Sequence, residues 1–334
     1  MIVTVDCGAT NMRCRLFEGD SQIDEIKVAC GTRDAAFASS NAPLEAALRD
    51  MLAALLQKNG IKKADIEMIV SAGTLASNVG LYHVPHAPAP IGIAESAAAA
   101  RAVVLPQITD IPILFIPGVR TAPTPTESDP MRAIELYDSM GGEECECYGI
   151  AAKLHLTGAY MMVMPGSYCQ TFAVDEAARI TSVFTCMCGD LIAAIAEHTF
   201  LKNTLPSPVI REIDAARLIE GYEYCAKNGT SNALIKSRML HVWGNHTPDE
   251  AANFLVGAIL HDNIVQTAAR CRAAALPLVL GGGNPLREIF RLLLTHAGVD
   301  NLITVDDETA RIASPLGALA VYRRWRSMQE NEKP

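Results

Sequence analysis

Aromatic residues are scarce in this chain, 5% of its 334 positions, and no apolar run reaches the roughly 18 residues a membrane span needs. No membrane partner is therefore expected. A basic surface is missing too. The net charge is −9, and Lys and Arg are scattered apart from "RRWR" at 323–326, which reads as a solvated helix end. Nucleic acid, which demands a basic stripe, is not an expected partner. The opening segment lacks a basic flank and a small-residue cleavage site, and it carries Asp6 inside a strand pattern, so it does not read as a signal peptide. Zinc-type Cys-x-x-Cys spacing is also absent. The ten cysteines include Cys145-x-Cys147 and Cys186-x-Cys188, and in a chain of this size they read as reduced thiols of a cytoplasmic protein.

What is present is a well-buried globular composition, half apolar and 19% charged, long enough for two domains of about 150 residues each. Alanine-rich runs such as "AAAARAVV" (97–104) suggest tightly packed helices. The pattern predicts strands at 1–6, 12–18 and 22–29, a helix at 43–58, and buried strands at 66–73 and 111–118. A proline-rich loop covers 119–130, and a helix starts near Gly142 and runs to about Leu156. Then the order recurs. Strand, Pro-Gly-Ser turn and strand fill 160–175, a third strand lies at 179–185, and helices follow at 187–201, 208–227 and 249–271. A strand at 276–284 runs into a helix at 285–297, a short strand occupies 302–305, and a last helix covers 312–326. Strands alternating with helices imply an α/β fold, with a mostly parallel sheet in each half and hairpins at its edge. Two such halves facing each other leave a cleft.

Three glycine turns could cradle phosphate, because backbone N–H groups converge there and glycine permits close approach. The first two are Gly8–Asn11 and Gly166–Tyr168. The third is Gly281, Gly282, Gly283 and Asn284, with Asn284 read as a helix cap and Pro285 in the first helical turn. Asp6 would repel a bare phosphate, so its position before the first turn makes sense if Mg²⁺ lies between them. None of these is a P-loop or a dinucleotide fingerprint. The "GGEE" at 141–144 puts two carboxylates at a predicted helix start, where they favour the helix dipole. Adjacent residues cannot share a helix face, so at most one of Glu143 and Glu144 serves as a general base.

Together these stretches resemble the 2-dehydro-3-deoxygalactonokinase family of sugar-acid kinases, within the actin/hexokinase/Hsp70 ATPase superfamily. The family's D-x-G-[ST]-T-N-x-R is similar to Asp6, Gly8, Ala9, Thr10, Asn11 and Arg13, and its AG…SN-x-G to Ala72-Gly73 and Ser77-Asn78-x-Gly80. Its R-G-E-E resembles residues 141–144, and its MPG-[ST]-H-C-K resembles residues 164–170. Gly141, Tyr168 and Gln170 replace the family's Arg, His and Lys, which leaves Arg13 and Arg120 to meet a substrate carboxylate.

The resemblance implies two ribonuclease-H-like lobes with a cleft between them. Residues 1–157 would carry the substrate site, the first phosphate turn and the catalytic Glu; residues 158–311 the second phosphate turn and the adenosine site; residues 312–334 a helix packing back on the first lobe. It implies ATP and Mg²⁺, with Asp6 orienting the metal and Glu144 favoured as base. Gly8, Thr10, Asn11, Gly166, Ser167, Gly281, Gly282, Gly283 and Asn284 would hold the nucleotide. Arg13, Ser77, Asn78, Gly80, Tyr168 and Gln170 would line the sugar or sugar-acid site. A homodimer is compatible with this reading. Two other functions fit the same fold: a non-catalytic sugar or nucleotide sensor, and an ATPase that activates a partner through an iron–sulfur cluster held by the Cys-x-Cys pairs.

Overall fold

In the computed structural model, which describes residues 1–124 and 126–331, the alternating opening segment folds as an antiparallel meander. It consists of β1 (Ile2–Cys7), β2 (Met12–Glu18) and β3 (Ser21–Val28). Val3, Val5 and Cys7 turn inward on β1, as period-two patterning requires. Next come α1 (Thr32–Ala38), α2 (Ala42–Asn59) and β4 (Met68–Gly73). All six residues of β4 are buried, the mark of a central strand covered on both faces. Further on lie β5 (Ala87–Pro88), α3 (Ile93–Ala99), β6 (Arg101–Leu105) and β7 (Thr109–Phe115). This segment closes with β8 (Val119–Thr121), α4 (Pro130–Leu136), β9 (Asp138–Met140) and α5 (Glu143–Lys153).

The main sheet of this part has the order β3-β2-β1-β4-β7-β6, parallel at β1–β4–β7 and antiparallel at either side. Leucines 44, 48 and 55 of α2 pack on it with Val3, Val5, Ile69 and Ile113. Gly60 ends α2 in the left-handed region, φ 65°, and its N–H returns to the carbonyls of Leu56 and Gln57.

The second series runs β10 (Tyr160–Pro165), β11 (Tyr168–Val174), β12 (Ile180–Met187), α6 (Gly189–His198), α7 (Ala215–Asn228) and α8 (Thr230–Val242). It continues with α9 (Pro248–Ala274), β13 (Leu278–Leu280), α10 (Leu286–His296), β14 (Leu302–Thr304) and α11 (Asp307–Asn331). Its sheet has the order β12-β11-β10-β13-β14, with β13 parallel to both neighbours. The residues group into two compact units. One contains Met1–Gly158, Val174–Val183 and the chain from Glu308, and the other contains Ala159–Ala173 and Phe184–Asp307. Among the described residues no helix is long and apolar enough to cross a membrane.

Several expectations need correction. The alanine run does not stay helical: α3 stops at Ala99, and Arg101 opens an edge strand against β7, where Val103 and Val104 favour an extended chain. The loop expected at 119–130 begins with a strand, β8, which pairs with β5 and β9. Pro125 of that loop, and residues 332–334 of the expected last segment, lie outside the described residues. The strand expected over 276–284 is shorter: β13 ends at Leu280, so Gly281, Gly282 and Gly283 all lie in the turn that follows it. The final helix starts before residue 312 and continues through Pro315. Helices α1, α4 and α8 lay outside the sequence expectations.

Candidate active site

The first turn, Gly8–Asn11, links β1 to β2. The Gly8 N–H donates to the Asn11 carbonyl at 3.0 Å, and the Asn11 side chain donates to Thr10 Oγ1 at 2.9 Å. From the start of α1, the N–H groups of Thr32 and Arg33 donate to the carbonyls of Gly8 (3.2 Å) and Ala9 (2.9 Å). The turn is held by its oxygens, and the N–H groups of Ala9 and Thr10 have no acceptor among the described residues. Such free N–H groups suit an anion. Asp6, half-buried, sits opposite Arg13 in the β1–β2 register, with Oδ2 3.6 Å from the Arg13 guanidinium.

The second turn is built the same way. The Gly166 N–H donates to the Tyr168 carbonyl at 2.8 Å, and the first N–H groups of α6, on Gly189 and Asp190, donate to the carbonyls of Gly166 (2.9 Å) and Ser167 (3.1 Å). The repeat in element order is therefore also a repeat in hydrogen bonding: a hairpin bend clasped by the N-terminus of the next helix.

The third turn lies against the second, since β10 and β13 are parallel neighbours ending at the same edge. Its three glycines do different things. The buried Gly281 donates its N–H to the Val163 carbonyl at 2.9 Å. Gly282 has φ 74°, and a Cβ there would come within 2.5 Å of the Pro165 carbonyl oxygen. Gly283 has a different setting. It is exposed, a Cβ on it would meet nothing within 4 Å, and its carbonyl accepts the Arg287 N–H at 3.0 Å as α10 begins. The buried Arg287 side chain donates to the Gly282 carbonyl at 3.0 Å and pairs with Asp307. Asn284 is not the helix cap. Pro285 takes that place, and the Asn284 side chain donates to Asp307 Oδ1 at 3.1 Å. Gly282→Ala is expected to destabilise the fold by about 1–3 kcal/mol through backbone strain alone, read by denaturant unfolding. Gly283→Ala, with open space around it, should cost much less. Equal stability of Gly282→Ala and the wild type would show that the turn does not depend on glycine.

Helix α5 brings the carboxylates to the first turn's edge of the sheet. Its cap, Gly142, has φ 117°, and a Cβ there would meet Gly73 Cα at 3.1 Å, where β4 ends beside β1. Lower down, Gly149 and Gly317 let α5 and α11 cross backbone to backbone, which fixes the helix in place. The two glutamates have different surroundings. Glu143 is half-buried, and its Oε2 accepts the Gly141 N–H at 3.1 Å. Glu144 is 0% exposed; its Oε2 accepts the Gly142 N–H at 2.8 Å, and its Oε1 has no partner. Burial pushes the Glu143 carboxyl up to about 7, against the lowering effect of backbone N–H groups and with Asp6 adding repulsion. Burial, reinforced by Glu143, pushes Glu144 up to about 8. Glu146, which sequence reasoning missed, is raised to about 8 by burial and then by Asp6. Its i,i+3 spacing from Glu143 was the available signal.

The sequence model of the 2-keto-3-deoxy-galactonokinase family matches residues 6–314. The chain belongs to that family. Like the other 2-keto-3-deoxy-galactonokinases it is an ATP-dependent carbohydrate kinase, of the sugar-acid kinase class. It is 25% identical to the 2-dehydro-3-deoxygalactonokinase of Escherichia coli (strain K12) over 262 residues, 77% of each chain. Its fold matches the crystal structure of a provisionally assigned 2-dehydro-3-deoxygalactonokinase from Sinorhizobium meliloti with a TM-score of 0.75 at 22% identity, covering 97% of this chain and 96% of that one. A more distant fold match is the activator of the 2-hydroxyisocaproyl-CoA dehydratase from Clostridium difficile with bound ADPNP, with a TM-score of 0.52, 12% identity, and coverage of 100% and 98%. The architecture is that of the actin-like ATPases and sugar kinases.

In this kinase the remaining site candidates divide by environment. The Ser77 hydroxyl donates to the Thr74 carbonyl at 2.7 Å, and the buried Gly80 gives its carbonyl to Asn41 at 2.7 Å, so both shape their loop. Asn78 is exposed. Tyr168 is 46% exposed, whereas Gln170 is buried with Oε1 unpartnered. Cys145 and Cys147 are buried within the first unit and Cys188 within the second, with burial raising the Cys145 and Cys188 thiols. No set of three or more His, Cys, Asp or Glu among the described residues could hold a metal.

Proposed function

We propose that this kinase transfers the γ-phosphate of ATP to a hydroxyl of 2-dehydro-3-deoxy-D-galactonate or a closely related sugar acid, in the cytoplasm, with Mg²⁺. The observation that carries the reading is the half-buried Glu143 at the N-terminus of α5, beside the strand edge that bears Asp6 and the open N–H groups of the first turn. Glu143 accepts the acceptor's hydroxyl proton. Glu144, with no exposed surface, keeps the Gly141-Gly142 bend in shape through its bond to the Gly142 N–H. The N–H groups around Gly8, Thr10 and Asn11, and those around Gly166 and Ser167, bind phosphate oxygens. Gly281, Gly282, Gly283 and Asn284 meet the adenosine, with the exposed Gly283 and Asn284 offering the open surface of that turn. Arg13, Ser77, Asn78, Gly80, Tyr168 and Gln170 belong to the sugar side.

The donor set suits magnesium. Asp6 is a hard oxygen donor, and Glu143 and Glu146 lie near enough for its charge to raise them, more negative charge than Arg13 alone balances. Asp6 would hold the ion through one carboxylate and water, the few-ligand habit of Mg²⁺, and the bound ion would neutralise phosphate charge.

ATP consumption against keto-deoxy sugar acids, plain aldoses and hydroxy acids tests the proposal. The keto-deoxy acids should give the highest kcat/KM. Higher values with neutral aldoses, or no turnover with any acceptor, would overturn it.

A further inference from the structure

The sugar-acid reading poses an electrostatic problem. The chain carries a net charge of −9, and Asp6, Glu143, Glu144 and Glu146 crowd the start of α5, so an anionic acceptor needs a local cation to approach. Gly141 has no side chain to offer.

The small sheet β5-β8-β9 runs straight into this place. Val119 of β8 pairs with Ala87 and Met140, and Arg120 with Pro88 and Ser139; β9 then leads through Gly141 and Gly142 into α5. His86, just before β5, lays its imidazole over two glycines. A Cβ at Gly118 would lie 2.7 Å from its Cδ2 and 2.8 Å from its Nε2, and a Cβ at Gly141 would point at the same Nε2 from 3.9 Å. The ring thus stands beside the backbone that donates to Glu143. Arg120 is an exposed residue, and its Nε donates to the His86 carbonyl at 3.3 Å. Among the described residues neither Arg120 nor His86 pairs with a carboxylate. Burial, then the like charges of His83 and Arg120, depress the His86 pKa, so these groups repel one another when no anion is bound.

We propose that Arg120 and His86 form the receptor for the substrate's carboxylate and set the kinase's preference for acids over neutral sugars. Arg120 supplies the charge from the exposed rim of β8, and His86 supplies a ring N–H next to Gly141. The substrate is then held by its acid end at one side of Glu143 while its hydroxyl meets the base. This inference rests on the reading of the acceptor as a sugar acid, and its test separates the two.

The test compares kcat/KM for a keto-deoxy sugar acid with that for the same compound bearing an amide in place of the carboxylate. Arg120→Ala should raise KM for the acid by about 10- to 100-fold, the range for a lost charge-assisted hydrogen bond. The kcat, the KM for ATP and the kinetics with the amide should change little. His86→Gln should act in the same direction more weakly, and Arg120→Lys should recover much of the loss. Equal losses on acid and amide, or an unchanged acid KM in both variants, would overturn the receptor while leaving the kinase reading intact. A wild-type enzyme that phosphorylates neutral sugars and not the acid would overturn both.

Discussion

Glu143→Gln is expected to lower kcat by about 10²- to 10⁴-fold, the range for removing a general base. Glu144→Gln is expected to lose about tenfold or less, because glutamine can still accept the Gly142 N–H through its carbonyl oxygen. The contrast follows from exposure. Glu143 is a half-buried residue, and its neighbour Glu144 has no surface at all. The pH profile gives an independent check. A base whose pKa is held near 7 by burial must be ionised to take a proton, so kcat/KM should rise with pH through about 7 and level off above it. Glu143→Gln should lose that limb and Glu144→Gln should keep it. A larger loss from the Glu144 substitution would exchange the two roles.

The second large effect concerns Asp6. Asp6→Asn is expected to reduce kcat by about 10²- to 10³-fold, comparable with removing one preorganised electrostatic group, and to raise the Mg²⁺ concentration needed for half-maximal rate. Stability should barely move. The Asp6–Arg13 pair spans 3.6 Å with both side chains partly exposed, and such pairs contribute about 0–1 kcal/mol. A sign also follows from the coupling. The Asp6 charge raises Glu143, so removing it should shift the acid limb of the pH profile to lower pH. Normal turnover with an unmoved limb would place Asp6 outside the reaction.

Much of this was legible in the chain. The opening meander declared itself because period-two alternation around an Asp-Cys-Gly break has few other solutions, and β1 to β3 fall close to the expected bounds. The start of α5 at the glutamate pair was legible from two glycines followed by acids that complement a helix dipole. What escaped was set by contacts distant in sequence. Helix α1 has only seven residues, too few for a periodic signal, yet it clasps the first turn. Three consecutive glycines looked equivalent, but only Gly282 is pressed against Pro165, while Gly283 faces open space. Asn284 looked like a cap on local chemistry and was claimed instead by Asp307. Nothing in the local sequence singles out His86, because only the pairing of β5 with β8 and β8 with β9 brings its ring beside Gly141. Local pattern specified the elements; the tertiary register specified which side chains meet.

The most direct measurement is a crystal structure of the kinase with Mg²⁺, a non-hydrolysable ATP analogue and the sugar acid that it turns over best. The acceptor hydroxyl is expected within about 2.6–3.2 Å of a Glu143 carboxylate oxygen, the reach of a general base. A sugar bound away from the Gly141–Glu143 corner, or a hydroxyl presented to another residue, would contradict it.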